Sequence, residues 1–181
     1  MNALEIKNNI AIEISNYDIA CLNLIYFDID KFAYHNDALG HDSGDDVLNK
    51  ILEVLLKFSA NNAVCGRVGG DEFLVYSISS KPEHNQMGRF LQKSIHDLKL
   101  PFVGEGYQND KVILPEFITC SAVALSFPFN NIEKIENNKI NLKISEDVID
   151  VLIKYVEYSM YTLKLIESGD FMAIDWGDKH S

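Results

Sequence analysis

The sequence predicts a mixed α/β (α+β) domain in which helices pack on a central sheet, and three observations support this. The chain has 181 residues, 47% hydrophobic and 24% charged, which suits one globular domain with a sizeable core. The run Cys21–Phe27 is almost continuously apolar, as in a strand buried on both faces. Periodicity then gives the order strand, helix, helix, strand, strand, helix, strand, helix, strand, which is typical of a sheet covered by helices.

Composition argues against several classes of protein. No run approaches the roughly 18 apolar residues of a membrane-spanning helix. Met1–Asn9 has no apolar signal core, so a cytoplasmic location is expected. A net charge of −11 and a pI of about 4.8 argue against binding nucleic acid through its phosphates. Cys21, Cys65 and Cys120 have no metal-type spacing and are expected to be reduced core thiols.

The first elements lead to a pair of aspartates. Met1–Tyr17 has an apolar pattern that fits either a helix or a strand. The buried strand that follows delivers Asp28 and Asp30 at its carboxyl end, where α/β sheets place ligands. Lys31–Leu39 is expected to form a short helix that stops at Gly40.

A second helix is predicted over Gly44–Ser59. Its core-facing stripe at helical spacing consists of Val47, Leu48, Ile51, Leu52, Leu55 and Phe58. Asp45 and Asp46 fall in its first turn, where negative charge suits the helix dipole. Taken alone, Asp45 is therefore more simply explained as a helix-terminal carboxylate. His41 could equally be a packing residue, and the sequence gives it no chemical role.

A β-hairpin is predicted next. The strand-type runs Ala63–Val68 and Phe73–Ile78 flank Gly69-Gly70, and glycine supplies the positive φ that tight hairpin turns require. The turn also contains two adjacent carboxylates, Asp71 and Glu72. They are either a polar hairpin tip or ligands of a divalent metal, which prefers hard oxygen donors.

The second half of the chain is assigned from periodicity and helix breakers. Pro82–Leu98 is predicted to be a helix, and Phe117–Phe127 a strand that Pro128 ends, because proline cannot donate to a sheet. Loops are predicted over Pro101–Pro115 and Asn130–Asn141. The helix over Pro82–Leu98 has an apolar face made of Met87, Phe90, Leu91, Ile95 and Leu98.

The C-terminal part is predicted to contain one long helix and a closing strand. Ser145 is expected to cap the helix, and Phe171–Ile174 to form an edge strand. The buried side of the helix is predicted to consist of Val148, Leu152, Tyr155, Val156, Met160 and Leu163.

Four motifs stand in a characteristic order and spacing. They are Phe27-Asp28-Ile29-Asp30-Lys31-Phe32, Asn36-Asp37, Gly40-His41-Asp42-Ser43-Gly44-Asp45 and Arg67-Val68-Gly69-Gly70-Asp71-Glu72-Phe73. Together they resemble the GGDEF family of diguanylate cyclases, strongly over Cys21–Ile78 and less clearly beyond. The resemblance implies one GGDEF domain over residues 1–181, with a divergent segment 1–17 and a catalytic-type core 18–176. It also implies a palm-like, ferredoxin-related cyclase fold with a mostly antiparallel sheet.

The resemblance implies a metal-dependent condensation of two GTP molecules into cyclic di-GMP and two pyrophosphates, in a dimer of GGDEF domains. Asp28, Asp71 and the main-chain carbonyl of Ile29 would bind Mg²⁺ (or Mn²⁺). Asp71 and Glu72 would be the catalytic carboxylates, and which of them acts as the base is left open.

Substrate contacts follow from the same resemblance. Asn36 and Asp45 would accept the donors of guanine, and Gly70 would let the substrate approach the backbone. Free amides in Asp30–Phe32 would hold phosphates as a backbone nest, and Lys164 would contact the triphosphate.

The chain also departs from the family pattern. Ala33 stands where the family has lysine, and the arginine that follows the closing helix has no counterpart. Lys31 or a lysine of the partner subunit is a candidate substitute. Ala60-Asn61-Asn62-Ala63 replaces the inhibitory Arg-x-x-Asp motif, so no feedback inhibition by cyclic di-GMP is expected. Two alternatives to an active cyclase stay open: a GTP-binding regulatory module without turnover, and a different nucleotidyl transferase.

Overall fold

The computed structural model describes residues 1–14, 19–59, 62–102, 115–130, 138–166 and 169–175. In chain order the elements are α1 (Ala3–Ile14), β1 (Ile19–Ile29), α2 (Phe32–Leu39), α3 (His41–Ser59), β2 (Ala63–Arg67), β3 (Glu72–Ser79), α4 (His84–His96), β4 (Cys120–Asn130), α5 (Asn138–Ile166) and β5 (Phe171–Asp175). From β1 onward this is the order of strands and helices that the sequence predicts.

The described strands form one five-stranded sheet in the order β2-β3-β1-β4-β5. β1 pairs antiparallel with both β3 and β4, and β2 pairs antiparallel with β3. β4 and β5 are the parallel pair. The predicted mostly antiparallel sheet is confirmed. Because β1 is the central strand, Asp28 at its carboxyl end lies in the middle of one edge of the sheet.

Helices cover both faces of the sheet. Because side chains alternate along a strand, β1 contributes to two cores. Ile25, Phe27 and Ile29 pack with α3 and α4, whereas Leu24 and Tyr26 pack with α1 and α5. The central strand is therefore buried on both faces, as its apolar sequence predicts.

The N-terminal segment, whose pattern fits either a helix or a strand, forms α1. Ile6, Ile10 and Ile14 are buried. The helix comes so close to β2 that a Cβ on Gly66 would stand 2.3 Å from Cδ1 of Ile6 and 2.6 Å from the carbonyl oxygen of Met1. Glycine at position 66 therefore permits α1 to close over the sheet.

Three predicted element ends are wrong. Pro128 does not end β4 but pairs with Cys21 of β1. Since the described pairing of β5 with β4 covers Ala122–Ser126, the proline lies beyond it on that edge, where its missing N–H is tolerated. α5 begins at Asn138, so Ser145 lies inside the helix. α3 begins at His41, so Gly44 lies inside that helix as well.

Three side chains predicted to lie in the core are exposed. Leu52 is 37% exposed, Phe90 59% and Tyr155 41%. Each lies at the margin of its helix's apolar stripe. The other predicted core residues of α3, α4 and α5 are buried or partly buried.

Cys21, Cys65 and Cys120 are free thiols, and burial raises the pKa of each. Among the described helices, none is both long enough and apolar enough to cross a bilayer. Most of the predicted loops Pro101–Pro115 and Asn130–Asn141 lies outside the described residues, as do Ala60 and Asn61 of the altered inhibitory motif.

Candidate active site

The hairpin turn brings two acidic segments together at the carboxyl end of β1. Asp28 pairs with Glu72 across β1 and β3. The amide of Ile29 donates to the carbonyl of Asp71 at 3.1 Å. The residues predicted to bind a metal therefore come from two adjacent backbone segments, β1 and the hairpin turn.

Backbone and side-chain contacts fix the shape of this turn. The amides of Val68 and Gly69 donate to the carbonyl of Glu72. Nε of Arg67 donates to the carbonyls of Gly69 and Gly70 at 3.2 and 3.0 Å. A Cβ on Gly69 would stand 2.0 Å from Oε2 of Glu72, so the Glu72 side chain lies directly over that glycine.

One cavity, the α2–α3 pocket, opens on one side of the hairpin and has a volume of about 310 Å³. Five of the predicted site residues line it together: Phe32, Asn36, Asp45, Gly70 and Asp71. Asp45 lies in the second turn of α3, because the helix begins at His41. Its position in a shared pocket favours a binding role over the helix-terminal role that the sequence left open.

Asn36 is held over a glycine. A Cβ on Gly44 would stand 1.9 Å from Oδ1 of Asn36, so only glycine leaves room for this side chain. Oδ1 of Asn36 is buried, and none of the described residues donates a hydrogen bond to it. An acceptor buried in this way loses free energy until a donor satisfies it. The pocket therefore presents an acceptor that suits a ligand's N–H group.

A second cavity, the α5 cleft, lies between the sheet and α5 and has a volume of about 410 Å³. Asp28, Glu72 and Lys164 line it. The Lys164 ammonium forms an ion pair with Oδ1 of Asp28. The structure thus separates the predicted residues into two groups: Asn36, Asp45 and Asp71 in the pocket, and these three in the cleft.

The carboxylates of the cleft lie in a strongly negative environment. Burial raises the pKa of Asp28 from 3.8 to about 6, Lys164 opposes this rise, and Asp71 and Glu72 add to it. The hydroxyl of Tyr26 hydrogen-bonds to Glu72; burial, followed by the charge of Glu72, raises the pKa of Tyr26 above its ordinary value. A bound cation would lower the cost of ionising Asp28.

The donor chemistry fits a hard divalent cation. Asp28, Asp71, Glu72 and the carbonyl of Ile29 offer oxygen ligands of the kind that Mg²⁺ prefers. Within the described ranges, no group of three or more acidic, histidine or cysteine side chains forms a ready-made metal centre. These oxygen ligands therefore suit Mg²⁺ chemically, although the described side chains do not form a compact metal-binding cluster.

The second aspartate of the strand has a structural position. Asp30 is buried, and its carboxylate accepts hydrogen bonds from the hydroxyls of Thr119 at 2.7 Å and Ser121 at 2.6 Å. Its amide donates to the carbonyl of Thr119 at 2.9 Å. The prediction of a free amide at Asp30 is therefore wrong, since the carbonyl of Thr119, just before β4, accepts its hydrogen bond. Lys31 has a φ of 55°, and Phe32 begins α2.

Several residues of the two cavities were not assigned a role from the sequence. Ala33, His41 and Arg67 line the α2–α3 pocket. The α5 cleft also includes four residues of α5: Lys154, Glu157, Tyr158 and Tyr161. These four recur at helical spacing on a side of α5 other than the buried one, and that spacing is the sequence signal that identifies them.

Comparison with curated proteins gives one family. Residues 1–113 match the family model described as diguanylate cyclase, GGDEF domain. The chain is 43% identical over 58 residues to the diguanylate cyclase DgcP of Escherichia coli K12, covering 32% of this chain and 17% of that protein. It is 33% identical over 89 residues to the cyclic di-GMP phosphodiesterase PdeR of the same bacterium, covering 49% and 13%. The chain spans less than a fifth of the length of these two relatives.

Solved structures agree on the fold. The GGDEF domain of DgcB from Caulobacter crescentus, determined in complex with c-di-GMP, matches with a TM-score of 0.64 and 17% identity over 95% of this chain and 90% of that one. The active GGEEF domain of a diguanylate cyclase from Vibrio cholerae matches with a TM-score of 0.54 and 21% identity over 87% and 85%. The predicted palm-like cyclase fold is confirmed.

Proposed function

This chain belongs to the GGDEF family, and from that premise we propose that it is a diguanylate cyclase domain, which condenses two GTP molecules into cyclic di-GMP. The observation that most directly supports a guanine nucleotide as substrate is the buried, unsatisfied Oδ1 of Asn36 beside Asp45 in the α2–α3 pocket.

Recognition of guanine rests on two acceptors. The N1–H and N2–H₂ groups of guanine are donors, whereas adenine presents an acceptor at N1. Oδ1 of Asn36 and the carboxylate of Asp45 both accept, so guanine satisfies them and adenine leaves one unpaired. A site built to hydrogen-bond its substrate discriminates strongly against an analogue that lacks the donor.

In the proposed complex, the phosphates of GTP would lie near the carboxyl end of β1, between the α2–α3 pocket and the α5 cleft. Asp28, Asp71, Glu72 and the carbonyl of Ile29 would hold Mg²⁺ or Mn²⁺, which when bound stabilises the charge that develops on the phosphates. Lys164 would exchange its pairing with Asp28 for a pairing with a phosphate. The Lys164 ammonium group would then be available to neutralise the negative charge of the substrate phosphates.

The proposed reaction consists of two equivalent displacements. The 3′-hydroxyl oxygen of one GTP bonds to the α-phosphorus of the other, and the bond to the bridging oxygen breaks so that pyrophosphate leaves. The hydroxyl proton passes to a carboxylate, either Asp71 or Glu72. Since the α2–α3 pocket would hold one guanine, two copies of the domain would face each other, each with one GTP.

A second candidate function is a GTP-binding regulatory module without turnover. Ala33 lines the α2–α3 pocket with no charge where the family has lysine, and Lys164 is engaged by Asp28. Loss of a charged phosphate contact costs on the order of 10²–10³ in rate. A domain weakened in this way would keep the guanine pocket while losing catalysis.

The test is to incubate concentrated protein with GTP and Mg²⁺ and to separate the products by mass. High concentration favours dimerisation of the domains. We expect cyclic di-GMP to form from GTP and no cyclic product from ATP. GTP that remains intact while binding is demonstrated by calorimetry would instead establish the regulatory module. Product from a different nucleotide would favour another nucleotidyl transferase.

A further inference from the structure

α5 presents one continuous line of side chains to the α5 cleft. These residues, spaced at three and four positions so that they share one side of the helix, are Lys154, Glu157, Tyr158, Tyr161 and Lys164. The line has a lysine at each end. At a rise of about 1.5 Å per residue, the Cα atoms of the two lysines lie roughly 15 Å apart along the helix.

The two lysines differ in how firmly they are held. Lys164 is 27% exposed and pairs with the largely buried Asp28. Lys154 is 71% exposed and pairs with Asp150, which is itself 40% exposed, at 3.0 Å. Exposed ion pairs contribute little free energy, so Lys154 leaves its partner at low cost.

A second cation makes this release easier. Lys7 of α1 pairs with the other oxygen of Asp150, also at 3.0 Å. Lys7 and Lys154 together lower the pKa of Asp150. When Lys154 turns away, Asp150 therefore keeps one cation. The arrangement leaves Lys154 available to an anion in the cleft.

The lining of the cleft is more acidic than basic, so a bound triphosphate would require an additional cation. The lining includes three carboxylates, Asp28, Glu72 and Glu157, and two lysines, one of them paired with Asp28. A triphosphate that enters this surface meets net negative charge. Bound divalent cations offset part of that repulsion, and an available ammonium offsets more.

We propose that Lys154 binds the terminal phosphates of GTP, so that the triphosphate lies along α5 between Lys154 and Lys164. This assignment rests on the proposed guanine nucleotide substrate, and it gives the triphosphate a second cation beside Lys164 in a chain that lacks both the family's lysine, replaced by Ala33, and its arginine. Flexible four-carbon stems let the two ammonium groups lean toward each other, which brings them within the span of one polyphosphate. The nucleotide base then occupies the α2–α3 pocket, on the opposite side of the hairpin.

The experiment compares Lys154→Met with Lys93→Met. Lys93 is a matched control, because it is also 71% exposed and also pairs with an aspartate four residues away, Asp97, which directly follows α4. Affinities for GTP and for GMP are measured by calorimetry in Mg²⁺, and thermal melts establish that both variants fold. Loss of one charge-assisted phosphate contact is expected to raise the Kd for GTP about tenfold in Lys154→Met.

The GMP arm isolates the terminal phosphates. We expect GMP affinity to stay unchanged in both variants, GTP affinity to stay unchanged in Lys93→Met, and Lys154→Arg to restore most of the lost affinity. GTP binding equal to wild type in Lys154→Met overturns the proposal. An equal loss for GTP and GMP also overturns it, because the contact would then not be to the terminal phosphates.

Binding and turnover are separate readouts. If the wild type binds GTP but forms no cyclic di-GMP, the cyclase proposal fails while a selective GTP defect in Lys154→Met still supports the phosphate site. If the wild type binds no GTP, both proposals fail.

Discussion

The α2–α3 pocket and the α5 cleft lie on two sides of one hairpin, yet they are built differently. The pocket draws on residues between Phe32 and Asp71, a short stretch that keeps the family motifs. The cleft joins motif residues such as Asp28 and Glu72 to α5, in the part of the chain where the family resemblance is less clear. Under the proposed function, base recognition uses the family's residues alone, whereas phosphate binding also draws on residues outside the family motifs.

The largest effect is expected at Asp71, which lies on the hairpin turn and lines the α2–α3 pocket. Asp71→Asn is expected to lower turnover by about 10²–10³-fold, or to abolish metal-dependent GTP binding, because a neutral amide is a poor ligand for a hard cation. Cyclic di-GMP formation measures turnover, and a thermal melt should match that of the wild type. Asp97→Asn, an exposed change just after α4, is the control. Undiminished turnover in Asp71→Asn would refute the metal assignment.

Guanine recognition is tested by Gly44→Ala, which acts on the pocket alone. The new Cβ would stand 1.9 Å from Oδ1 of Asn36 and must displace that side chain. We expect GTP affinity to fall about tenfold, from the loss of one buried hydrogen bond. Stability should hold, because alanine favours a helix more than glycine does.

The readout for this variant is the ratio of GTP to ATP affinity, which should shrink as well. Gly70→Ala gives the comparison for stability, since a Cβ there meets no described atom within 4 Å. Unchanged GTP affinity in Gly44→Ala would show that Asn36 does not contact the base.

The cleft is tested by Asp28→Asn, read as stability rather than activity. Burial raises the pKa of Asp28 to about 6, because the folded protein favours the neutral carboxyl group. The contribution of Asp28 to folding stability is therefore fully present below pH 3.8 and is lost as the pH rises through 6. At pH 8 the neutral amide avoids that cost but forfeits the ion pair with Lys164. We expect a net gain of about 1 kcal/mol in the free energy of unfolding.

Denaturant titrations of the metal-free protein at pH 4 and pH 8 measure this gain. The advantage of Asp28→Asn over wild type should be present at pH 8 and small at pH 4. An advantage of equal size at both values would mean that ionisation of Asp28 is not its cause.

The smallest effect is expected at Ala33. Ala33→Lys restores the family's lysine at an exposed position of the pocket. If Lys154 and Lys164 already supply most of the missing charge, one more exposed contact is worth well under about 1 kcal/mol, and turnover should rise about threefold rather than by the roughly 10²–10³ of an uncompensated loss. Ala33→Met, with a similar chain and no charge, controls for bulk. A rate that does not change would indicate that another cation, such as Lys154, already fills this role.

The sequence predicted most of the fold because long apolar stripes and motif spacing are local signals. It identified the hairpin, the order of elements from β1 onward and five residues that line the α2–α3 pocket together. The N-terminal segment stayed undecided, because its isoleucines fit both the helix period and the strand period. Pro128 misled the prediction, since an edge position tolerates proline and an edge is a property of the whole sheet.

The α5 cleft was harder to predict because tertiary packing decides which side of a helix faces a cavity. The buried stripe of α5 was recognised, but Tyr155 at its margin is exposed. Lys154 and Tyr158 resemble ordinary surface residues until the sheet is placed beneath them. Their closeness to Asp28 depends on contacts between residues more than 100 positions apart, which no local pattern contains.

The parallel pairing of β4 and β5 has a consequence for how freely this chain can vary. β4 begins where β1 ends, as the pairing of Cys120 with Ile29 shows, and a parallel neighbour must begin at that same end. The helix before β5 must therefore travel the length of the sheet and finish beside the carboxyl end of β1. Topology, rather than the residues of the connection, thus delivers Lys164 to Asp28. An insertion between α5 and β5 is therefore expected to leave the contact between Lys164 and Asp28 in place.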